Sequence, residues 1–172
     1  MPDLGYAPAV VYVIIIAAAI FLAGAQDHAP EPGYLDDRST AEAVIRSLYD
    51  ALNRREYARA YSYWEDNSPD LQPFDEFEQG YADTVSIDLT LGDIGAGVGA
   101  GQLYYTVPVT LIGTQNDGSA QTFVGCYTLH IGRPQIQAVP PFRPLAIQRA
   151  SIQQVADDAD TASLMQHTCG PI

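Results

Sequence analysis

The chain has 172 residues, 47% of them hydrophobic, with 21 acidic side chains against 8 basic ones and a formal charge of −13. That length and composition suit one domain with its own core plus a leader. The charge excludes nucleic acid as a partner and repels anionic lipid headgroups; every base is an arginine.

Ala7 to Ala25 is an uncharged, mostly apolar run. At ~1.5 Å per residue a helix over it is just long enough for a bilayer core. It ends in Ala23-Gly24-Ala25, the small-x-small pattern of a signal-peptidase site before Gln26. Residues 1–25 are therefore expected to be a signal peptide or a membrane anchor, and the domain to work in the extracytoplasmic cell envelope, periplasmic or membrane-anchored. The leader departs from the usual pattern in having no Lys or Arg. Ala25 follows Leu22-Ala23-Gly24 where a lipoprotein would have cysteine. Residues 26–38, with Pro30, Pro32 and Gly33 among acids, read as a linker.

Ser39 followed by Glu42 has the spacing of a capping box, so a helix is expected to start there. Val44, Ile45, Leu48, Tyr49 and Leu52 share one face of it. After a polar break at Asn53 to Arg55, Tyr57, Tyr61 and Trp64 repeat the spacing on a second, shorter helix. A turn-rich loop from Glu65 to Asp70 leads to a third, from Phe74 to about Tyr81, with Phe74, Phe77 and Tyr81 on one side.

The pattern then changes to strands. Val85, Ile87, Leu89 and Leu91 alternate with polar residues. Gly92 to Gly101 holds five glycines but fits no phosphate-loop or dinucleotide fingerprint, and a loop or bulge is expected there. In the next hairpin, Leu103, Tyr105, Val107, Val109 and Leu111 form one face of the first strand. Phe123, Gly125, Tyr127, Leu129 and Ile131 form one face of the second. A three-residue Asn116-Asp117-Gly118 loop with Gly118 left-handed pairs Gln115 with Ser119. Leu111 then faces Phe123, Val107 faces Tyr127 and Leu103 faces Ile131; a slip by one would set every apolar side chain against a polar one. A last strand spans about Leu145 to Val155, with a bulge near Arg149. Residues 156–172 read as an acidic tail.

This order of elements, with "LYDALNRREYARAYSYW" and "VPVTLIGT-NDG", resembles the nuclear transport factor 2-like superfamily, and its uncharacterised bacterial envelope members in particular, over roughly residues 39–155. The resemblance implies an α+β domain in which three N-terminal helices pack on a strongly bent, mostly antiparallel sheet of about four strands, cone-like in shape. It implies little about function, because that fold hosts isomerases, dehydratases, transport adaptors and non-catalytic domains.

In relatives resembling ketosteroid isomerase, a carboxylate base projects into the cone. Here the side chains of inward parity on the strands include no acid or histidine; Asp88 and His130 have the outward parity. Tyr61, Trp64, Tyr105 and Tyr127 are the candidates to line a ligand pocket, although aromatic residues at these spacings also suit plain core. Asp66 and Asp75 read as solvated loop acids. His28, His130 and His167 have no metal-ligand spacing, so neither metal nor cofactor is expected.

Cys126 lies on the outward face of its strand, opposite Pro108 in this register, and Cys169 near the chain's end. In an exported protein with two cysteines a Cys126–Cys169 disulfide is expected, tying the tail across the convex face. Two free thiols in a cytosolic protein is the alternative. The leading function is a non-catalytic envelope module that binds a small apolar molecule or a partner protein. A small lyase or isomerase using the same pocket, and a structural homodimer docked through the sheet, remain open. The membrane contact expected from the sequence runs through the leader, if it is uncleaved.

Overall fold

The computed structural model describes residues 33–170 and divides the chain after Gly33. The leader, on which the signal-peptide and anchor expectations rest, lies outside the described residues. Among the described residues no helix is long and apolar enough to cross a membrane.

Helix α1 (Ala41–Asn53) starts one residue later than the capping-box pattern places it. Asp37 accepts the Ser39 N–H at 2.8 Å, so Thr40 becomes the last extended residue. Its hydroxyl accepts the Ala43 N–H at 3.0 Å. Glu42, freed from a capping role, pairs with Arg46 one turn on at 2.8 Å. The stripe is as expected: Val44, Ile45, Leu48, Tyr49 and Leu52 are all buried. The helix ends where Arg55 turns left-handed (φ 58°). Glu56 N–H then reaches Ala51 O and Arg55 N–H reaches Leu52 O, both at 2.9 Å, the hydrogen bonds of a Schellman motif.

Helix α2 (Tyr57–Tyr61) buries Ala60 and, just past its end, Tyr63. The expected Tyr57, Tyr61 and Trp64 face is only half-buried. The chain tightens into 3₁₀-like turns after Tyr61, with Tyr63 N–H bonded to Ala60 O and Trp64 N–H to Tyr61 O, and this rotates Tyr63 into the core. Its hydroxyl donates to Asp36 Oδ1 at 2.7 Å. Residues 34–38, assigned to the linker on composition, lie against α1 and α2. Arg59 holds this segment through Leu35 O at 2.6 Å, Asp50 at 2.6 Å and Glu56 at 2.5 Å. Helix α3 (Phe74–Gly80) buries Phe77 and leaves Phe74 exposed at the surface.

Five strands form one antiparallel sheet: β1 (Thr84–Leu91), β2 (Gly95–Gly99), β3 (Gln102–Gln115), β4 (Ala120–Gly132) and β5 (Ala146–Val155). The order is β1-β3-β4-β5, with β2 pairing the first part of β3 and β1 the last part. The β3–β4 register is the one the apolar alternation demands: Leu111 opposite Phe123, Val107 opposite Tyr127, Leu103 opposite Ile131. Gly118 has φ +82°, and Gln115 N–H reaches Ser119 O at 2.9 Å.

Two strand expectations are corrected. The glycine-rich stretch is not wholly a loop. It forms β2, returned into β3 by a two-residue turn in which Ala100 (φ 48°) and Gly101 (φ 80°) are both left-handed, the geometry that suits hairpin twist. Val85, expected inward, is 47% exposed. Thr84 and Ser86 pair with the consecutive residues Gln115 and Thr114, so Val85 is the extra residue of a bulge. The bulge expected near Arg149 is present, with Gln148 skipped between the Thr128–Arg149 and Leu129–Ile147 pairs.

The concave face of the sheet packs Val107, Val109, Leu129 and Ile147 into one core cluster with the α1 stripe. Gly125 allows β5 to close over β4: a Cβ there would lie 2.3 Å from Ser151 O and 2.5 Å from Ile152 Cδ1. The tail is not a plain strap. Residues Thr161–Thr168 form helix α4, and the Asp160 carboxylate caps it by accepting the Ser163 N–H at 3.1 Å. The Cys126–Cys169 disulfide, with Cα atoms 5.2 Å apart, ties α4 to the convex face. Met165 lies over Gly92 and Pro108. Among the described residues the three expected N-terminal helices are present, α4 adds a fourth α-helix, and the sheet has five strands against the expected four or so.

Candidate functional site

A cavity of about 410 Å³ lies between α1, α3 and the concave face of the sheet, within the range of small-molecule sites. Helix α1 supplies Tyr49, α3 supplies Phe77, and Tyr81 follows just past its end. Strands β3, β4 and β5 supply Leu111, Phe123, Tyr127 and Ile152. Gln115, the last residue of β3, and Gln121, the second of β4, put their amides next to the hairpin turn. Trp64, Leu71, Ile87 and Ala150 add apolar surface, and Asp70, Gln72 and Thr84 add polar side chains.

Two polar features stand in this apolar wall. Tyr49 and Tyr127 are buried, and their hydroxyls lie 2.7 Å apart. They meet where α1 lies over the concave face of the sheet, with the Tyr49 ring edge-on to the Tyr127 ring, centroids 6.4 Å apart. Burial pushes both phenols upward and pushes Tyr81 up to about 12, so all three are neutral donors at ordinary pH. Trp64 is the second feature. Its ring meets Tyr127 edge-on at 6.1 Å, and its Nε1 is buried without a hydrogen-bond partner. Its placement comes from the backbone on either side: Ile147 N–H donates to Tyr63 O at 2.8 Å and Glu65 N–H to Ile147 O at 2.9 Å.

Asp70 is the carboxylate in the lining. Its Oδ2 accepts from Arg149 Nε and from the Ala150 N–H, both at 3.0 Å. Asp66 is an exposed loop acid, whereas Asp75, expected on a loop, is exposed in the first turn of α3. Asp88 is exposed, and His130 lies on the convex face, stacked on Tyr104 and bonded to Glu65 and Gln102. No group of three or more metal-ligating side chains occurs among the described residues.

Of the four aromatic candidates, Trp64 and Tyr127 line the cavity and Tyr61 and Tyr105 do not. Tyr61 stands behind the wall, its ring edge-on to Phe77 at 5.3 Å and its hydroxyl donating to Gln72 O at 3.0 Å. Tyr105 packs where β3 pairs with Ala96 of β2 and Leu129 of β4, outside the lining. Tyr49 and Tyr81 were legible only as apolar positions of helix faces, and Asp70 only as a turn residue. Their spacing carries no sign that they meet.

No protein-family model matches the sequence, and no curated protein does. Solved structures do match. One from Novosphingobium aromaticivorans, provisionally described as an aromatic ring hydroxylase, has a TM-score of 0.53 at 14% identity, over 70% of this chain and 90% of its own. A beta subunit from the same organism, provisionally assigned to an aromatic-ring-hydroxylating dioxygenase, gives 0.48 at 10% identity over 72% and 92% of the two chains. A protein from Streptomyces avermitilis, provisionally described as a dehydratase of the NTF2-like family, gives 0.45 at 12% identity over 66% and 93%. At such identities the likeness concerns fold alone: the chain shares with the first of these structures an α+β fold of helices packed on a curved antiparallel sheet.

Proposed function

We propose that the domain binds, without transforming it, a small, flat, mostly apolar molecule that carries a hydrogen-bonding oxygen. The observation behind this reading is the Tyr49–Tyr127 pair, two buried hydroxyls 2.7 Å apart in the wall of a mostly apolar cavity. One hydroxyl donates to the other, which leaves one proton for an outside acceptor. Trp64 Nε1 is a further donor without a partner. A ketone, ester or ether oxygen would satisfy such donors while its apolar body packs on Leu111, Phe123 and Ile152. The one carboxylate of the lining is already held by Arg149 and the Ala150 N–H, which supports binding over proton abstraction. The envelope location is part of the same proposal, and the Cys126–Cys169 bridge supports it, because such bonds persist in oxidising compartments.

Trp64 is the sole tryptophan of the chain, so its emission reports on the cavity wall. Titrating 1-tetralone, a bicyclic aryl ketone, into the full-length protein should change that emission saturably. Tyr127→Phe should weaken binding about tenfold, the loss of roughly one hydrogen bond. An emission that does not respond, or an affinity that ignores Tyr127→Phe, removes the basis of the reading. Location is tested by fusing residues 1–40 to a reporter active only outside the cytoplasm; a silent reporter beside a cytosolic pool would refute it.

A further inference from the structure

The segment between β4 and β5, residues 133–145, holds an unusual surface. Ile136, Val139 and Phe142 are 54%, 76% and 57% exposed, and Val98 in neighbouring β2 is 70% exposed. The segment lies against the β2–β3 turn: Arg133 N–H donates to Gly101 O at 3.0 Å, and a Cβ on Gly101 would lie 2.9 Å from Ile136 Cδ1. It is also braced from within. Gln137 donates to Gly132 O at 2.8 Å and to Arg143 O at 3.1 Å, and accepts the Arg143 N–H at 2.8 Å. The three apolar side chains are thus displayed on a loop fastened at both ends.

The charge of this segment itself is opposite in sign to the molecule's. Between Asp93 and Asp157 the sequence has one acid, Asp117, and it lies in the β3–β4 turn at the other end of the hairpin. Arg133 and Arg143 flank the apolar residues, are exposed, and pair with no carboxylate among the described residues. Glu65, which comes to His130, is engaged by that ring. We propose that this loop seats the domain on a phospholipid bilayer, with Ile136, Val139 and Phe142 at the acyl boundary and the two guanidinium groups on lipid phosphates. A projecting apolar tip with arginines at its base matches an interface that has phosphate above hydrocarbon, and a bilayer needs no complementary socket. The acidic remainder favours a bilayer of low net charge over a strongly anionic one. This contact is separate from the leader, and from the cavity and its ligand.

The test uses the full chain carrying Phe142→Trp in a Trp64→Phe background, mixed with phosphatidylcholine vesicles whose acyl chains are brominated. A local reporter is needed because the leader could itself bring the protein to lipid. The introduced indole should shift to the blue and be quenched about twofold, as for a side chain held ~5–10 Å into the headgroup–acyl boundary. Adding Arg133→Glu and Arg143→Glu should abolish both changes. If Trp64→Phe impairs folding, Trp64 is kept and the parent's signal subtracted. An indole that stays unquenched on vesicle-bound protein overturns the proposal. So does a blue shift that needs no lipid and grows with protein concentration, which would assign the loop to contact between copies of the chain. Quenching that survives the double charge reversal overturns the phosphate contacts.

Discussion

Removing the hydroxyls of Tyr49 and Tyr127 separately and together tests the chemistry at the cavity wall. Both rings are 4% exposed and their oxygens lie 2.7 Å apart. Tyr127→Phe deletes one member of the pair and leaves the Tyr49 hydroxyl buried without a partner; Tyr49→Phe does the converse. Each single change should therefore cost ~1–3 kcal/mol, the penalty for a stranded buried polar group added to a lost hydrogen bond. The double replacement strands nothing and keeps both rings, so it should cost less than the sum of the singles, with a coupling of ~1 kcal/mol or more. Urea unfolding followed by Trp64 emission and by far-ultraviolet dichroism gives the four stabilities, provided the two transitions coincide. Costs that add to within ~0.3–0.5 kcal/mol would mean that the two groups are independent. Water would then satisfy each hydroxyl on its own, and the left-over proton on which ligand recognition rests would have no basis.

Three further outcomes are expected. Leu48→Ala, at a residue 1% exposed in the middle of the α1 stripe, should cost ~2–5 kcal/mol in the same assay, and a loss below ~0.5 kcal/mol would place that face in solvent. Mass spectrometry of the protein from its native compartment should find no free thiol. Reduction should remove up to about 4 kcal/mol by the chain-entropy estimate and expose residues 156–170 to proteases while the cone survives; a reduced tail as resistant as the oxidised one would mean that the packing of α4 holds it unaided. Burial raises Tyr49, Tyr81 and Tyr127 above the ordinary 10.0, so the stability they confer is whole below that pH and is lost as pH rises through their folded values, about 12 for Tyr81. Phenolate absorbance should show these three lagging and ionising as the domain unfolds; eleven tyrosines titrating together near pH 10 in a folded protein would refute the burial.

What the sequence alone determined is the part of the structure written in local periods. The β3–β4 register followed from two alternating strands and an Asn-Asp-Gly turn, because side chains on a strand have a period of two and a wrong register would expose a whole face. For Cys126 the strand parity gives the outward face, and the bridge to Cys169 is expected only on the premise of export; the structure forms it. The α1 stripe followed from the helical period. Where a neighbour intervened, the local pattern failed: Asp37 took the Ser39 N–H and moved the cap to Thr40, and a bulge turned Val85 outward. The cavity was decided by tertiary structure alone. It is the space left when Gly125 lets β5 close over β4 and when α1 and α3 are set across the sheet; of its lining, spacing marks only Trp64 and Tyr127 as pocket candidates. Tyr49 and Tyr127, separated by 78 positions, meet there, while Tyr61, with the same helical spacing as Trp64, ends up behind the wall.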